Sequence, residues 1–289
     1  MEVVMFLSYL PDEMKIDFET ALRLGAEWGL RAIDLRAVDG VNVIDLSDEQ
    51  VEQTQRLLAR YGMRVTGLAT PFFKCTFPGQ EADDQGHTHG ARPLTYADHV
   101  ALLPRGVRLA QLFGAPYLRI FSFWRQEGAD FWPALTAAVE ATLDATAGSG
   151  VIPCLENEGA CFIGTSAELA EAAQRFADAR FQFIWDPGNS THRGMPPRAA
   201  DFAHFAGRIA QVHLKDSRYN PALGKSSATV IGAGDTDYHA QLRWLHDTGY
   251  TGALTLEPHY CPGGDCVEGM RQSIAAIRRI AEPVGVDLS

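Results

Sequence analysis

The stretch VIPCLENEG, residues 151–159, opens as a buried strand and closes on two carboxylates around an amide: Glu156, Asn157 and Glu158. A short apolar run bounded by turn residues fits a strand covered on both faces. A carboxylate at the end of such a strand is costly to bury unless something pairs with it. The pattern recurs further along. FQFIWDP from Phe181 ends near Asp186, IAQVHLK from Ile209 carries His213, and GALTLEP from Gly252 ends near Glu257.

Working outward, four more apolar runs precede these. They are VVMFLSY from Val3, AIDLRA from Ala32, RVTGLATP from Arg64 and YLRIFSFW from Tyr117, which makes eight in all. Amphipathic helical patterns separate them. Ser47 and Gln50 form a capping box before one helix, and Gly62 stops it. Thr165 and Glu168 repeat the box, and VEGMRQSIAAIRRI closes on arginines where the helix dipole favours them. Eight strands alternating with helices predict an α/β fold, a (β/α)8 TIM barrel, as one domain over residues 1–289. An open doubly wound sheet is the alternative, and the lack of a GxGxxG after an early strand counts against it. The longest gap, residues 72–94, falls on the face where barrels carry active sites and is expected to form a lid.

Composition narrows the function. The net charge is −11 at pH 7 and no run of basic residues offers a footprint for phosphates, so nucleic acid is not an expected partner. No stretch approaches the length of a membrane span, and the first residues lack the basic region of a signal peptide, so a cytoplasmic protein is expected. Five cysteines without a repeated CxxC read as mostly reduced thiols; the pair in CPGGDC is too widely spaced for a thioredoxin motif.

In a barrel the four strand-end residues Glu156, Asp186, His213 and Glu257 lie on consecutive strands at one end. Taken singly, each is also explained as a cap or turn residue. Together, three carboxylates at close range repel by about 4 kcal/mol per pair at 4 Å with an effective dielectric near 20. A divalent cation removes that conflict, and three carboxylates with one imidazole suit Mn²⁺, Mg²⁺ or Co²⁺, with Zn²⁺ also compatible. Strand alternation puts Gln211 and Lys215 on the face of His213. Arg119 and Trp124 at strand four, with Lys215, Asn189 and His259, are candidate substrate contacts; Lys74 is a further one from the lid segment.

The pieces LEN at Glu156, WDPGN at Asp186, VHLKD at His213, GAGDTDY at Gly232 and the run ending near Glu257 resemble the xylose isomerase-like barrel superfamily. That group, the sugar phosphate isomerases/epimerases, also holds ketose 3-epimerases, inosose dehydratase and endonuclease IV. The resemblance implies that Glu156, Asp186, His213 and Glu257 bind one divalent metal and that the two glutamates exchange protons with substrate. It implies a metal-dependent sugar isomerase or epimerase of carbohydrate metabolism, working through an enediolate on a small-molecule sugar. A polyol or inosose dehydratase-type lyase on the same site is the alternative, and an endonuclease IV-like hydrolase is disfavoured by charge. A homo-oligomer is compatible with all of these. The sequence also departs from the family: Asn189 stands where many members have a substrate-binding histidine, Phe162 where ketose 3-epimerases have a glutamate, and Tyr219, beside Arg218, where they often have an arginine.

Overall fold

The computed structural model describes residues 4–79 and 90–288. Eight parallel strands close on themselves: β1 (Val4–Tyr9), β2 (Ala32–Leu35), β3 (Arg64–Phe72), β4 (Tyr117–Ile120), β5 (Ile152–Glu156), β6 (Gln182–Trp185), β7 (Ile209–Leu214) and β8 (Ala253–Leu256). Each pairs with its successor, and Phe6 to Tyr9 of β1 pair with Ala253 to Leu256 of β8. That last pairing closes the barrel and removes the open doubly wound alternative. All eight expected strands are present.

The principal helices are α1 (Phe18–Glu27), α2 (Asp48–Tyr61), α3 (Tyr96–Phe113), α4 (Trp132–Thr146), α5 (Ser166–Arg175), α6 (Pro187–His192), α7 (Ala199–Phe202), α8 (Tyr238–Asp247) and α9 (Cys266–Ala281). Both expected capping boxes form, Ser47 with Gln50 and Thr165 with Glu168, and Gly62 ends α2 in the left-handed conformation with φ 62°. Arg278 and Arg279 occupy the last turn of α9. The apolar core fills the layer between barrel and helices, joining Leu7, Leu35, Leu68, Leu118, Leu155, Leu214 and Leu254 to the inner helix faces. No helix among the described residues is long and apolar enough to cross a membrane.

One feature differs from the sequence reading. The thiols of Cys75, Cys154 and Cys161 are free, but Cys261 and Cys266 are joined by a disulfide. The intervening PGGD winds into a short turn at Pro262–Gly264, which brings the two Cα atoms to 4.1 Å. Spacing in the chain is therefore a poor guide to spacing across this turn. The tip of the expected lid, residues 80–89, lies outside the described residues; Lys74 and Gly90 at its two ends line the barrel mouth.

His99 on α3 is 3% exposed and packs against Phe72 and Phe73 at ring distances of 6.0 and 5.9 Å. Burial lowers its pKa from 6.5 to about 4. The fold thus holds the neutral ring, while the unfolded chain takes up a proton near pH 6.5. The stabilisation is complete above pH 6.5 and drains away as pH falls towards 4, by up to roughly 3 kcal/mol. Replacing His99 by Leu should flatten the acid limb of the thermal midpoint against pH. Parallel profiles for the two proteins would refute this account.

Candidate active site

The polar end of the barrel is assembled from below. Ser8, Thr66, Asp34 and Gln211 form a buried chain inside the strands: Ser8 Oγ lies 3.1 Å from Thr66 Oγ1, and Thr66 Oγ1 and Gln211 Nε2 each donate to Asp34 Oδ1 at 2.7 Å. Gly67 makes room for it, since a Cβ there would stand 2.8 Å from Gln211 Oε1 and 2.9 Å from Asp34 Oδ1. Above this chain, Asp34 Oδ2 lies 2.9 Å from His213 Nε2. With Nε2 directed at a carboxylate, Nδ1 is the nitrogen left to face the mouth. It is buried and has no hydrogen-bond partner.

Around Nδ1 stand the carboxylates. Glu156 Oε1 is 3.3 Å away and Glu257 Oε2 is 3.6 Å away. Asp186, one residue past β6, caps α6 by accepting from the Asn189 N–H at 2.9 Å. Its backbone is clamped by the Asn157 side chain, which donates to the Asp186 carbonyl at 2.7 Å and accepts from its N–H at 2.8 Å. One ligand atom each from Glu156, Asp186, His213 and Glu257 falls within 4.8 Å of the others, and all four residues are buried. Asp186 is thus a helix cap and a member of the cluster at once.

Each glutamate is backed by an arginine. Arg119 Nη1 meets Glu156 Oε2 at 2.8 Å, and Arg36 Nη1 meets Glu257 Oε1 at 2.6 Å. Burial pushes Glu156 up, but His213 and Arg119 outweigh it and hold the carboxyl at about 2. Glu257 is likewise held well below the ordinary range: burial opposes ionisation, and Lys215, His213, His259 and Arg36 favour it. Asp186 goes the other way, to about 6, through burial and the charges of Glu257 and Glu156, with Lys215 opposing. Lys215 Nζ lies 2.8 Å from Asp186 Oδ2 and 3.1 Å from Glu257 Oε2. Glycine at 188 permits this approach, because a Cβ there would lie 2.3 Å from the Lys215 carbonyl oxygen.

The unpartnered His213 Nδ1 and the hard donor set fit a divalent cation. The four residues could hold one among them. Glu13, Glu257 and His259 form a second convergent group. There the charge is already answered, because the Arg36 guanidinium bonds both glutamates.

Glu257 of this cluster also lines a cavity of about 1280 Å³, with Trp124, Asn189, Lys215 and His259 among others. His259 is half exposed, 3.7 Å from Glu257 Oε1. Asn189 donates its side-chain N–H to the Asn157 carbonyl at 2.7 Å. Arg119 lies behind Glu156 and also donates from Nε and Nη2 to the carbonyls of Thr70 and Ala69, a backing position for Glu156. Sequence reasoning missed Asp34, Arg36 and Asn157. A signal existed for the first two: AIDLRA places Asp34 and Arg36 on one face of a strand that is otherwise apolar.

Comparison with known proteins agrees with this architecture. A family model described as xylose isomerase-like TIM barrel matches residues 22–280. An inosose dehydratase of Klebsiella pneumoniae subsp. pneumoniae is 26% identical over 152 residues, 47% of this chain and 50% of that protein. The chain therefore aligns with about half the length of the curated relatives it matches. Among solved structures, the IOLI protein with a bound zinc atom superposes with a TM-score of 0.76 at 14% identity, covering 97% of this chain and 99% of that one. An L-ribulose 3-epimerase superposes with a TM-score of 0.70 at 15% identity, covering 97% and 96%. At such identities the structural likeness shows the fold alone.

Mn²⁺ should raise the thermal midpoint of the protein, with the effect absent in a His213→Ala variant. Asp34→Ala should weaken Mn²⁺ by about 10–100-fold although Asp34 is not in the convergent group, because it orients the imidazole. Calorimetric titration of both variants checks this, and an unchanged Mn²⁺ affinity for Asp34→Ala would remove the orienting role.

Proposed function

The chain belongs to the xylose isomerase-like TIM barrel family, and from that premise we propose that it is a divalent-metal-dependent enzyme that isomerises or epimerises a sugar or sugar derivative through an enediolate. The observation that carries this reading is the convergence of Glu156, Asp186, His213 and Glu257, the last of which lines a cavity large enough for a monosaccharide. A divalent ion bound there would polarise a substrate carbonyl and stabilise the negative charge of the enediolate.

The chain's own residues divide the remaining work. Glu156 on β5 and Glu257 beyond β8 approach the centre from strands three apart around the barrel. Arg119 and Arg36 fix the outer oxygen of each, leaving Glu156 Oε1 and Glu257 Oε2 turned to the centre. One glutamate takes the proton from the carbon beside the carbonyl. The other returns a proton, to the opposite face for epimerisation or to the neighbouring carbon for isomerisation. Lys215, within reach of Glu257 Oε2, donates a hydrogen bond to the substrate oxygen that gains charge. Asn189 and His259 border the cavity where hydroxyl groups would lie. The substrate is small, and the acidic chain has no use for nucleic acid.

A second reading, a dehydratase acting on an inosose or related polyol, is favoured by the similarity to inosose dehydratase over 152 residues. The first half-reaction is shared; the enediolate would then expel a β-hydroxyl, with the Lys215 ammonium as the proton donor that lets it leave as water. Product mass separates the two, since only the second loses water.

Glu257→Gln keeps the size of the side chain and removes the base. Turnover should fall by about 10²–10⁴-fold, the usual contribution of a positioned acid/base. The wild-type reaction run in D₂O should label the reacting carbon of the product. Complete retention of the substrate hydrogen would mean a hydride shift, and neither glutamate would then be a base.

A further inference from the structure

Past the barrel proper, the ends of β3, β4 and β5 continue as a hydrogen-bonded layer. The N–H groups of Phe121 and Phe123 donate to the carbonyls of Phe72 and Phe73 at 2.8 Å, and that of Trp124 to Cys75 at 2.8 Å. On the other side Arg125 donates to Ala160 at 2.9 Å, and Phe162 donates back to Phe123 at 3.2 Å. This layer forms one wall of the cavity and presents Lys74, Trp124 and Glu158 to it.

Several observations mark that wall as built for a ligand. Lys74 and Trp124 are 8% and 2% exposed. Lys74 Nζ lies 3.4 Å from Glu158 Oε2, 5.0 Å from the Phe121 ring centre and 5.5 Å from that of Trp124. An ammonium has three donors, and Glu158 offers Lys74 a single carboxylate at a long distance. The Trp124 indole N–H is buried without any hydrogen-bond partner. Such donors are costly to leave unmet at the edge of a cavity. The backbone residues just before both donors, Phe73 and Phe123, sit at φ 59° and 60°, a region that side chains other than glycine disfavour. Packing of Phe73 against Tyr96, His99 and Phe123 holds them there. Strain kept at two neighbouring turns, each aiming the next side chain at the same cavity, is the pattern of a positioned site.

We propose that Lys74, Trp124 and Glu158 form a recognition subsite for the uncharged, hydroxylated end of a polyol substrate whose reacting end lies at Glu156 and Glu257. This rests on the reading given under Proposed function and adds the class of substrate. The chemistry of the wall selects it. Lys74 and Glu158 cancel in charge, so the subsite is neutral as a whole. It offers donors from the ammonium and the indole and an acceptor in the carboxylate, and a vicinal diol supplies both complements. A phosphate or carboxylate at that end would have to approach Glu158 while competing with it for Lys74. Aromatic faces beside the pair suit the C–H surface of a sugar.

The test uses the full-length protein loaded with Mn²⁺, with D-fructose as the neutral probe and D-fructose 6-phosphate as its charged counterpart. Calorimetric titration reports binding of each probe, and Mn²⁺ affinity is measured in parallel. Wild type should bind fructose more tightly than the phosphate ester. Lys74→Met and Trp124→Phe should each weaken fructose by about 10-fold or more while Mn²⁺ affinity stays within about 2-fold, as expected for lost hydrogen bonds to a ligand. Glu158→Gln leaves Lys74 unneutralised and should shift the preference towards the phosphate ester by about 10-fold or more. A structural ion pair would move stability and leave that preference alone. The proposal is overturned if wild type prefers the ester, if it binds neither probe, or if Glu158→Gln leaves the ratio unchanged. Loss of Mn²⁺ binding in wild type would instead sink the metal-dependent reading itself, so the two failures are separable.

Discussion

Three carboxylates and an imidazole brought within 4.8 Å in a buried place set the terms for everything around them. At such range and low polarity, like charges raise each other's energy by several kcal/mol unless cations stand between them. The barrel meets that demand from behind and from the side. Arg119 rises from β4 to Glu156, Arg36 from just beyond β2 to Glu257, and Lys215 from just beyond β7 to Asp186 and Glu257. Asp34 from β2 aligns the one imidazole. Removing a single cation would leave its partner buried and unpaired, a loss larger than the pair itself contributes. The polar residues inside the barrel are thus a mutually dependent set, and the apolar layer outside it is free to vary so long as volume is kept.

The same electrostatics separate two parts of the cavity. At the inner end Glu156, Asp186 and Glu257 meet Arg119, Arg36 and Lys215 around the His213 imidazole, a concentration of charge of both signs. On the β3–β4–β5 side Lys74 and Glu158 balance. Under the proposed function, a substrate spanning both would meet a charged end, where bonds would be remade, and a neutral end, where it would be recognised. Enzymes that place binding energy away from the reacting carbon can spend it on orientation there.

Much of this was readable in the chain and some was not. Glu156, Asp186, His213 and Glu257 stood out because each breaks an apolar strand at its end, a contradiction visible locally. The capping boxes at Ser47 and Thr165 fixed helix starts for the same local reason. Arg36 was harder: Asp12 and Glu13 lie 24 and 23 positions away, and Glu257 lies 221 away and meets it only once β8 closes on β1. The Cys261–Cys266 disulfide depended on a turn geometry that spacing does not encode. Lys74 and Glu158 were each visible as polar residues near strand ends; that they face one another depends on the ends of β3 and β5 being brought together, with the left-handed backbone at Phe73 just before Lys74, which no periodicity announces.

Asp216 carries a consequence of another kind. Its carboxylate accepts the N–H groups of Ser217, Gly232, Gly234 and Thr236, at 2.9 to 3.2 Å, and so stitches both ends of a long excursion to the end of β7. Between the stitches, residues 216–220 and 225–229 form an exposed antiparallel hairpin whose base, at Ser217 and Ala228, borders the cavity. Anchored at its root and free at its tip, the hairpin can lengthen, shorten or change composition over evolutionary time without moving His213 or Lys215. The barrel and this eave are thereby separable: a change in the hairpin can alter what enters the cavity without altering the residues beneath it.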